Sequence, residues 1–157
     1  MEQKTKIHAE DHKQELVITR EFDLPVELLF KAHVDPEIVE QWMGTKVLQL
    51  ESKRHGSYHF ETTDPKGNKY GFHGVIHELV PNAEITRTFE MENAAFPVQL
   101  EFFEFEKVSD STSRLTMHVV YKSVEVRDQI LKLPFAQGIN LAHNRIQEIM
   151  NQPNRMS

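Results

Sequence analysis

FAQGINLAHNRIQEIM, residues 135–150, carries the strongest periodic signal in the chain. Phe135, Ile139, Ala142, Ile146 and Ile149 recur at steps of four, three, four and three, which draws one apolar stripe along a helix. Gly138 falls inside that helix, where it costs about 1 kcal/mol relative to alanine. A close contact against the sheet is the expected reason for it. His143 and Asn144 are read as lying off the stripe, facing solvent.

Working outward, the residues before this helix read as β-structure. QELVITREF (14–22) is rich in β-branched residues and alternates. Further strands are expected at about 46–54, 56–63, 69–80, 83–92, 97–108 and 113–123. The separators, among them Asp64-Pro65-Lys66-Gly67-Asn68, Pro81-Asn82, Asn93-Ala94-Ala95 and Ser109-Asp110-Ser111-Thr112, are short turn sequences. Links of that length join antiparallel neighbours and exclude parallel crossovers. Two short helices are expected after the first strand. One follows Pro25 over 26–33, and one spans about 36–41 with Asp35 as its N-cap. VEVRDQILKL (124–133) reads as helical or irregular, and Pro134 ends it. Phe102-Phe103-Glu104-Phe105 breaks strict alternation, which predicts a β-bulge there or one exposed ring. The expected class is α+β: a curved seven-stranded antiparallel sheet around a long C-terminal helix. Residues 1–13 are expected as a loose N-terminal tail, 14–150 as one domain and 151–157 as a C-terminal tail.

Composition agrees with a folded globule. The 157 residues are 39% hydrophobic and 27% charged. Eighteen basic against 24 acidic side chains leave a net charge of −6, which argues against a nucleic-acid partner. With no cysteine, disulfides, thiol nucleophiles and cysteine-ligated zinc are excluded. The polar start MEQKTKIHAEDHKQE lacks a signal-peptide run and no stretch is long enough to span a bilayer. A cytoplasmic protein without membrane insertion is therefore expected.

These residues resemble a known family. Gln41-Trp42-Met43-Gly44 follows the short helices, and Gly74 opens a strand ending in Glu78-Leu79-Val80-Pro81. Ile85 with Thr88-Phe89, and Ser113-Arg114-Leu115-Thr116, complete the pattern. Together with the element order they are similar to the helix-grip fold of the START-like (SRPBCC) superfamily. Within it they most resemble bacterial relatives of the activator of the heat-shock-protein-ninety ATPase. The resemblance implies a deep cavity between sheet and last helix that holds hydrophobic or aromatic molecules in some members. Other members are polyketide cyclases or chaperone cofactors, so the resemblance implies a fold and a place for a site, not a reaction.

If Thr63 pairs with Lys69, then Tyr58, Phe60, Tyr70 and Phe72 share one sheet face. They form either an aromatic cavity wall or a filled core. The same register gathers His55, His59, His73 and His77 on the other face, with His59 opposite His73 and Glu61 nearby. A solvated polar face is the favoured reading, a shared metal the alternative. Trp42, the single tryptophan, is expected to plug one end of the core. Arg87 alternates with Ile85, Phe89 and Met91. It is read as a surface arginine paired with a glutamate or, if inward, as an anchor for a ligand carboxylate or phenolate. Leu115, Met117, Val119 and Tyr121 alternate as interior residues.

No nucleophile-and-base, metal-protease, P-loop or dinucleotide motif is present, and no cofactor is implied. The leading expectation is a binding module for a small hydrophobic or aromatic ligand. Its candidate residues are Trp42 after the short helices, Tyr58, Phe60, Tyr70 and Phe72 on the hairpin, and Arg87, Phe89, Met117 and Tyr121 on later strands. Ile139 and Ile146 complete the set from the last helix. The alternatives are a protein-interaction domain that modulates a chaperone or self-associates, and a cyclase-type enzyme with Arg87 and Tyr121 as its polar pair.

Overall fold

A computed structural model describes residues 4–94 and 96–151. The expected fraying of Gln152–Ser157 lies outside these residues, as does Ala95 of the expected 93–95 turn.

Eight strands form one antiparallel sheet. In chain order they are β1 (Lys6–His8), β2 (Glu15–Phe22), β3 (Lys46–Leu50), β4 (Ser57–Thr63), β5 (Lys69–Val80), β6 (Glu84–Met91), β7 (Gln99–Lys107) and β8 (Ser113–Val120). Across the sheet they run β1-β2-β8-β7-β6-β5-β4-β3. The expected seven strands thus become eight. The extra one lies in the segment expected as a loose tail, where Ile7 pairs with Ile18. Three residues are too few to show alternation, which is why this strand is silent in the sequence. Thr5, just before it, is tied to the last helix. Its N–H donates to Asn140 Oδ1 at 3.0 Å, and its Oγ1 lies 2.8 Å from His143 Nδ1.

The β4–β5 hairpin has the expected register, with Thr63 against Lys69, Phe60 against Phe72 and His59 against His73. The expected bulge at Phe102-Phe103 is absent, since β7 pairs with both neighbours without a shift. Phe102 instead lies on the outer face beside His118, with ring centroids 5.8 Å apart. The irregularities that kink the sheet fall between Val47 and Gln49 and between Ile76 and Glu78.

The helices α1 (Val26–Val34) and α2 (Pro36–Met43) are divided at Asp35. Its carboxylate accepts from the N–H groups of Glu37 (3.0 Å) and Ile38 (3.4 Å), capping α2. Gly44 ends α2 in the left-handed region at φ 63°. Residues 124–133, which read as helical or irregular, form α3 (Val124–Lys132), whose N-cap Ser123 accepts from Val126 N–H. The last helix, α4 (Phe135–Met150), spans the full periodic segment and packs on α1, α2 and α3. Alternate residues of β2, β4, β7 and β8 form the inner face: Leu16, Ile18, Phe22, Tyr58, Phe60, Phe103, Phe105, Leu115 and Val119 are all buried. No helix among the described residues is long and apolar enough to cross a membrane.

Candidate functional site

The two ends of α4 meet the sheet differently. Towards its C-terminus His143, Ile146 and Met150 are fully buried. Towards its N-terminus Phe135, Ile139 and Ala142 are only half-buried and Gly138 is exposed. Beneath that end lies a cavity of about 560 Å³. Sheet residues Phe60, Phe72, Phe89, Phe103, Met117 and Val119 supply most of its apolar floor. Trp42, Val39 and Met43 of α2 close one side, and Phe135, Ile139 and Ala142 of α4 form the roof. An adjoining hollow of about 400 Å³ shares Phe89, Gln99, Tyr121 and Phe135 with it and extends to Phe96, Leu133 and Pro134.

Gly138 lines this cavity, and a Cβ added there would meet nothing within 4 Å. The expected close contact with the sheet does not exist. The glycine leaves room rather than letting two backbones touch. Gly74 is the contrasting case: a Cβ there would strike the Thr88 carbonyl and the Tyr58 hydroxyl. That hydroxyl donates to the Thr88 carbonyl across the sheet.

Of the residues read from the sequence, Trp42, Phe60, Phe72, Arg87, Phe89, Met117, Tyr121 and Ile139 line the cavity. Tyr58 and Ile146 do not; both are sealed in the core, 1% and 0% exposed. Tyr70 is the clear departure, at 42% exposed with its hydroxyl 3.1 Å from Asp64 Oδ2. Tyr70 is in phase with Phe72 on its strand but lies next to the hairpin tip, opposite Thr62. Trp42 is part cavity wall, part core, its indole N–H donating to the Ala32 carbonyl at 2.7 Å.

Arg87 is neither on the surface nor unpaired. Its Nε donates to Glu101 Oε1 at 2.8 Å, and its guanidinium lies over the rings of Tyr58 (4.9 Å) and Phe103 (4.7 Å). Burial opposes the charge, but Tyr58 and Glu101 outweigh it and hold the Arg87 pKa above the ordinary guanidinium value. The second oxygen of Glu101 accepts from Gln99 Nε2 at 2.8 Å. Tyr121 is pushed up in pKa, first by burial and then by Glu101, so its hydroxyl stays protonated.

Two histidines were not among the predicted site residues. His33 lies at the cavity wall on α1, with its Nδ1 hydrogen-bonded to the Leu29 carbonyl at 2.9 Å. Burial lowers its pKa to about 4. His143, expected in solvent, is 2% exposed and lines the cavity roof. Burial, with His33 and Arg20 nearby, lowers its pKa to about 3. Its misplacement has a simple cause: the stripe is wide enough to take position 143, four after Ile139 and three before Ile146. Glu101 could have been found as a carboxylate in phase with Phe103 and Phe105 on an inward face.

The outer histidine face is engaged with carboxylates. His73 Nδ1 lies 2.9 Å from Glu92 Oε2 and its Nε2 lies 3.2 Å from Glu90, while His59 Nε2 is 3.4 Å from Glu92. Glu61 pairs with Lys69 instead, at 3.7 Å. Among the described residues no group of three or more histidines and carboxylates is arranged to hold a metal ion. His59 and His73 are partly exposed beside these carboxylates, as on a solvated polar face.

A strongly bent antiparallel sheet gripping a C-terminal helix over a lined cavity is a helix-grip architecture. The chain belongs to the family described as Activator of Hsp90 ATPase homolog 1-like protein, whose model matches residues 23–151. Its fold is similar to that of protein Ms6760 from Mycobacterium smegmatis, at 23% identity, a TM-score of 0.80 and coverage of 93% of this chain and 98% of that one. A protein from Rhodobacter sphaeroides matches at 19% identity and a TM-score of 0.84, covering 94% of this chain and 97% of that one. Protein NE0264 from Nitrosomonas europaea matches at 20% identity and a TM-score of 0.79, covering 92% and 99%. A search of the curated proteins gave no match.

Proposed function

We propose that this protein binds a small, flat, apolar molecule in the cavity between sheet and α4, in a cytoplasmic setting. The observation that carries the reading is the roof. A helix keeps a glycine at position 138 where nothing fills the space a side chain would take, above a floor built from four phenylalanines, Met117 and Val119 of the sheet. A helical glycine without a packing partner is unfavourable by about 1 kcal/mol, and room for a ligand accounts for it. Cavities of a few hundred Å³ with mainly apolar walls and a few polar groups are the usual form of small-molecule sites.

The test is a thermal-shift series with apolar aromatic compounds on the wild-type protein and a Gly138→Leu variant, whose side chain occupies the space beneath α4. Stabilisation that grows with ligand concentration is expected for the wild type and not for the variant. No stabilisation of either protein by any such compound overturns the reading.

An interaction domain that modulates a chaperone goes with an exposed patch and a collapsed cavity, so the open cavity supports ligand binding as the first reading. Acid–base chemistry on a bound molecule is the second reading, favoured by the two neutral imidazoles His33 and His143 at the cavity wall. A mass change in a bound ligand, lost on His33→Phe, is the result that supports it.

A further inference from the structure

Apart from His143 and Arg145 on α4, the charged and hydrogen-bonding side chains of the cavity fall together. Arg87, Glu101 and Gln99 are joined by hydrogen bonds, Arg87 and His33 both lie against the Phe103 ring (4.7 and 5.8 Å), and Tyr121 follows two residues after Val119, the strand partner of Glu101. Glu101 has both oxygens occupied, one by Arg87 and one by Gln99. Three sets of atoms are left over. The Arg87 Nη groups, the Tyr121 hydroxyl and His33 Nε2 make no hydrogen bond to any described residue. Nor are they sealed from space: the buried side-chain atoms lacking a hydrogen bond, among the described residues, are His59 Nε2 and His118 Nε2. The leftover atoms therefore open onto the cavity.

Their chemistry is specific. Arg87 offers donors only, Tyr121 a donor and an acceptor, and His33 an acceptor, because its Nδ1 proton is committed to the Leu29 carbonyl. The charge of Arg87 is already cancelled at 2.8 Å by Glu101, and both imidazoles are neutral. A ligand anion placed here gains little net attraction and loses its hydration. The remaining cation on the lining, Arg145, is exposed and screened by water. A purely hydrocarbon ligand would displace water from these polar atoms and leave them unpaired.

Resting on the proposed function, we infer that the cavity selects an uncharged ligand: a flat apolar body bearing a hydroxyl or carbonyl oxygen, which seats between Arg87, Tyr121 and His33. A phenol fits both valences, its oxygen accepting from Arg87 or Tyr121 and its O–H donating to His33 Nε2.

The experiment compares three probes with the same ring system, naphthalene, 2-naphthol and 2-naphthoate, by calorimetric titration of the full chain near pH 7. In the wild type 2-naphthol is expected to bind about tenfold or more tightly than either of the others, a factor set by a hydrogen-bonded oxygen with no buried charge. Tyr121→Phe narrows the gap between 2-naphthol and naphthalene. Glu101→Gln leaves Arg87 without its counter-charge and shifts preference towards 2-naphthoate. Equal binding of naphthalene and 2-naphthol, or tightest binding of 2-naphthoate by the wild type, overturns this inference and leaves the cavity reading intact. Binding of none of the three overturns both.

Discussion

The two halves of α4 are built from one stripe and used for opposite ends. The C-terminal half places Ile146 and Met150, each 0% exposed, in the closed core that also holds Leu16, Phe22, Leu24 and Leu29. The N-terminal half spans the cavity with Phe135, Ile139 and Ala142 half-buried around an exposed Gly138. The same helical period thus supports a sealed region that stabilises the fold and an open one that contributes little to it. A binding site in a small domain needs that division, because space kept empty is apolar burial forgone.

The largest effects should separate the halves. Ile146→Ala removes a sealed side chain and is expected to cost about 2–5 kcal/mol in urea unfolding, while Ile139→Ala should cost about 1 kcal/mol or less. Equal losses would break the comparison. The imidazoles near the junction come next. His33 and His143 have folded-state pKa values of about 4 and about 3, below the ordinary 6.5. The unfolded chain therefore binds protons first as pH falls. Stability should hold above about pH 6.5, decline below it and level off only beneath the folded-state values, a loss on the order of a few kcal/mol. Urea midpoints across that range should fall less steeply for His33→Phe; an identical slope would show that His33 is not held neutral.

Gly138→Ala sharpens the comparison with a change of sign. It should stabilise the protein by about 0.5–1 kcal/mol, since helix propensity improves and nothing is struck. A loss of stability would mean that α4 touches something there. The smallest effect is expected at the hairpin tip: Tyr70→Phe, losing an exposed hydrogen bond to Asp64, should shift stability by less than about 0.5 kcal/mol.

The sheet was largely legible from local rules. Turn residues and alternation placed the strands, and the β4–β5 register is the one that follows if Thr63 pairs with Lys69, as it does. Three residues of β1 carried no period, so the eighth strand was invisible. The apolar half of the site was also legible, because Phe60, Phe72, Phe89 and Met117 announce an inward face by alternation. The polar half was not. His33, Glu101 and His143 look like surface residues by type, and only the fold puts them inside, where pairing and desolvation decide their state. Gly138 stands out in the sequence but its cause does not, since a sequence does not distinguish a glycine that admits a neighbour from one with open space beside it.

Trp42, the single tryptophan, lines the cavity and reports on its contents. The most direct test is titration with 1-bromonaphthalene while following Trp42 emission, since a bromine atom within the cavity quenches a nearby indole. Saturable quenching in the wild-type protein, abolished by Gly138→Leu, is the predicted result. Quenching that stays linear with concentration and is the same in both proteins would contradict it, because the probe would then reach Trp42 only by collision from solvent.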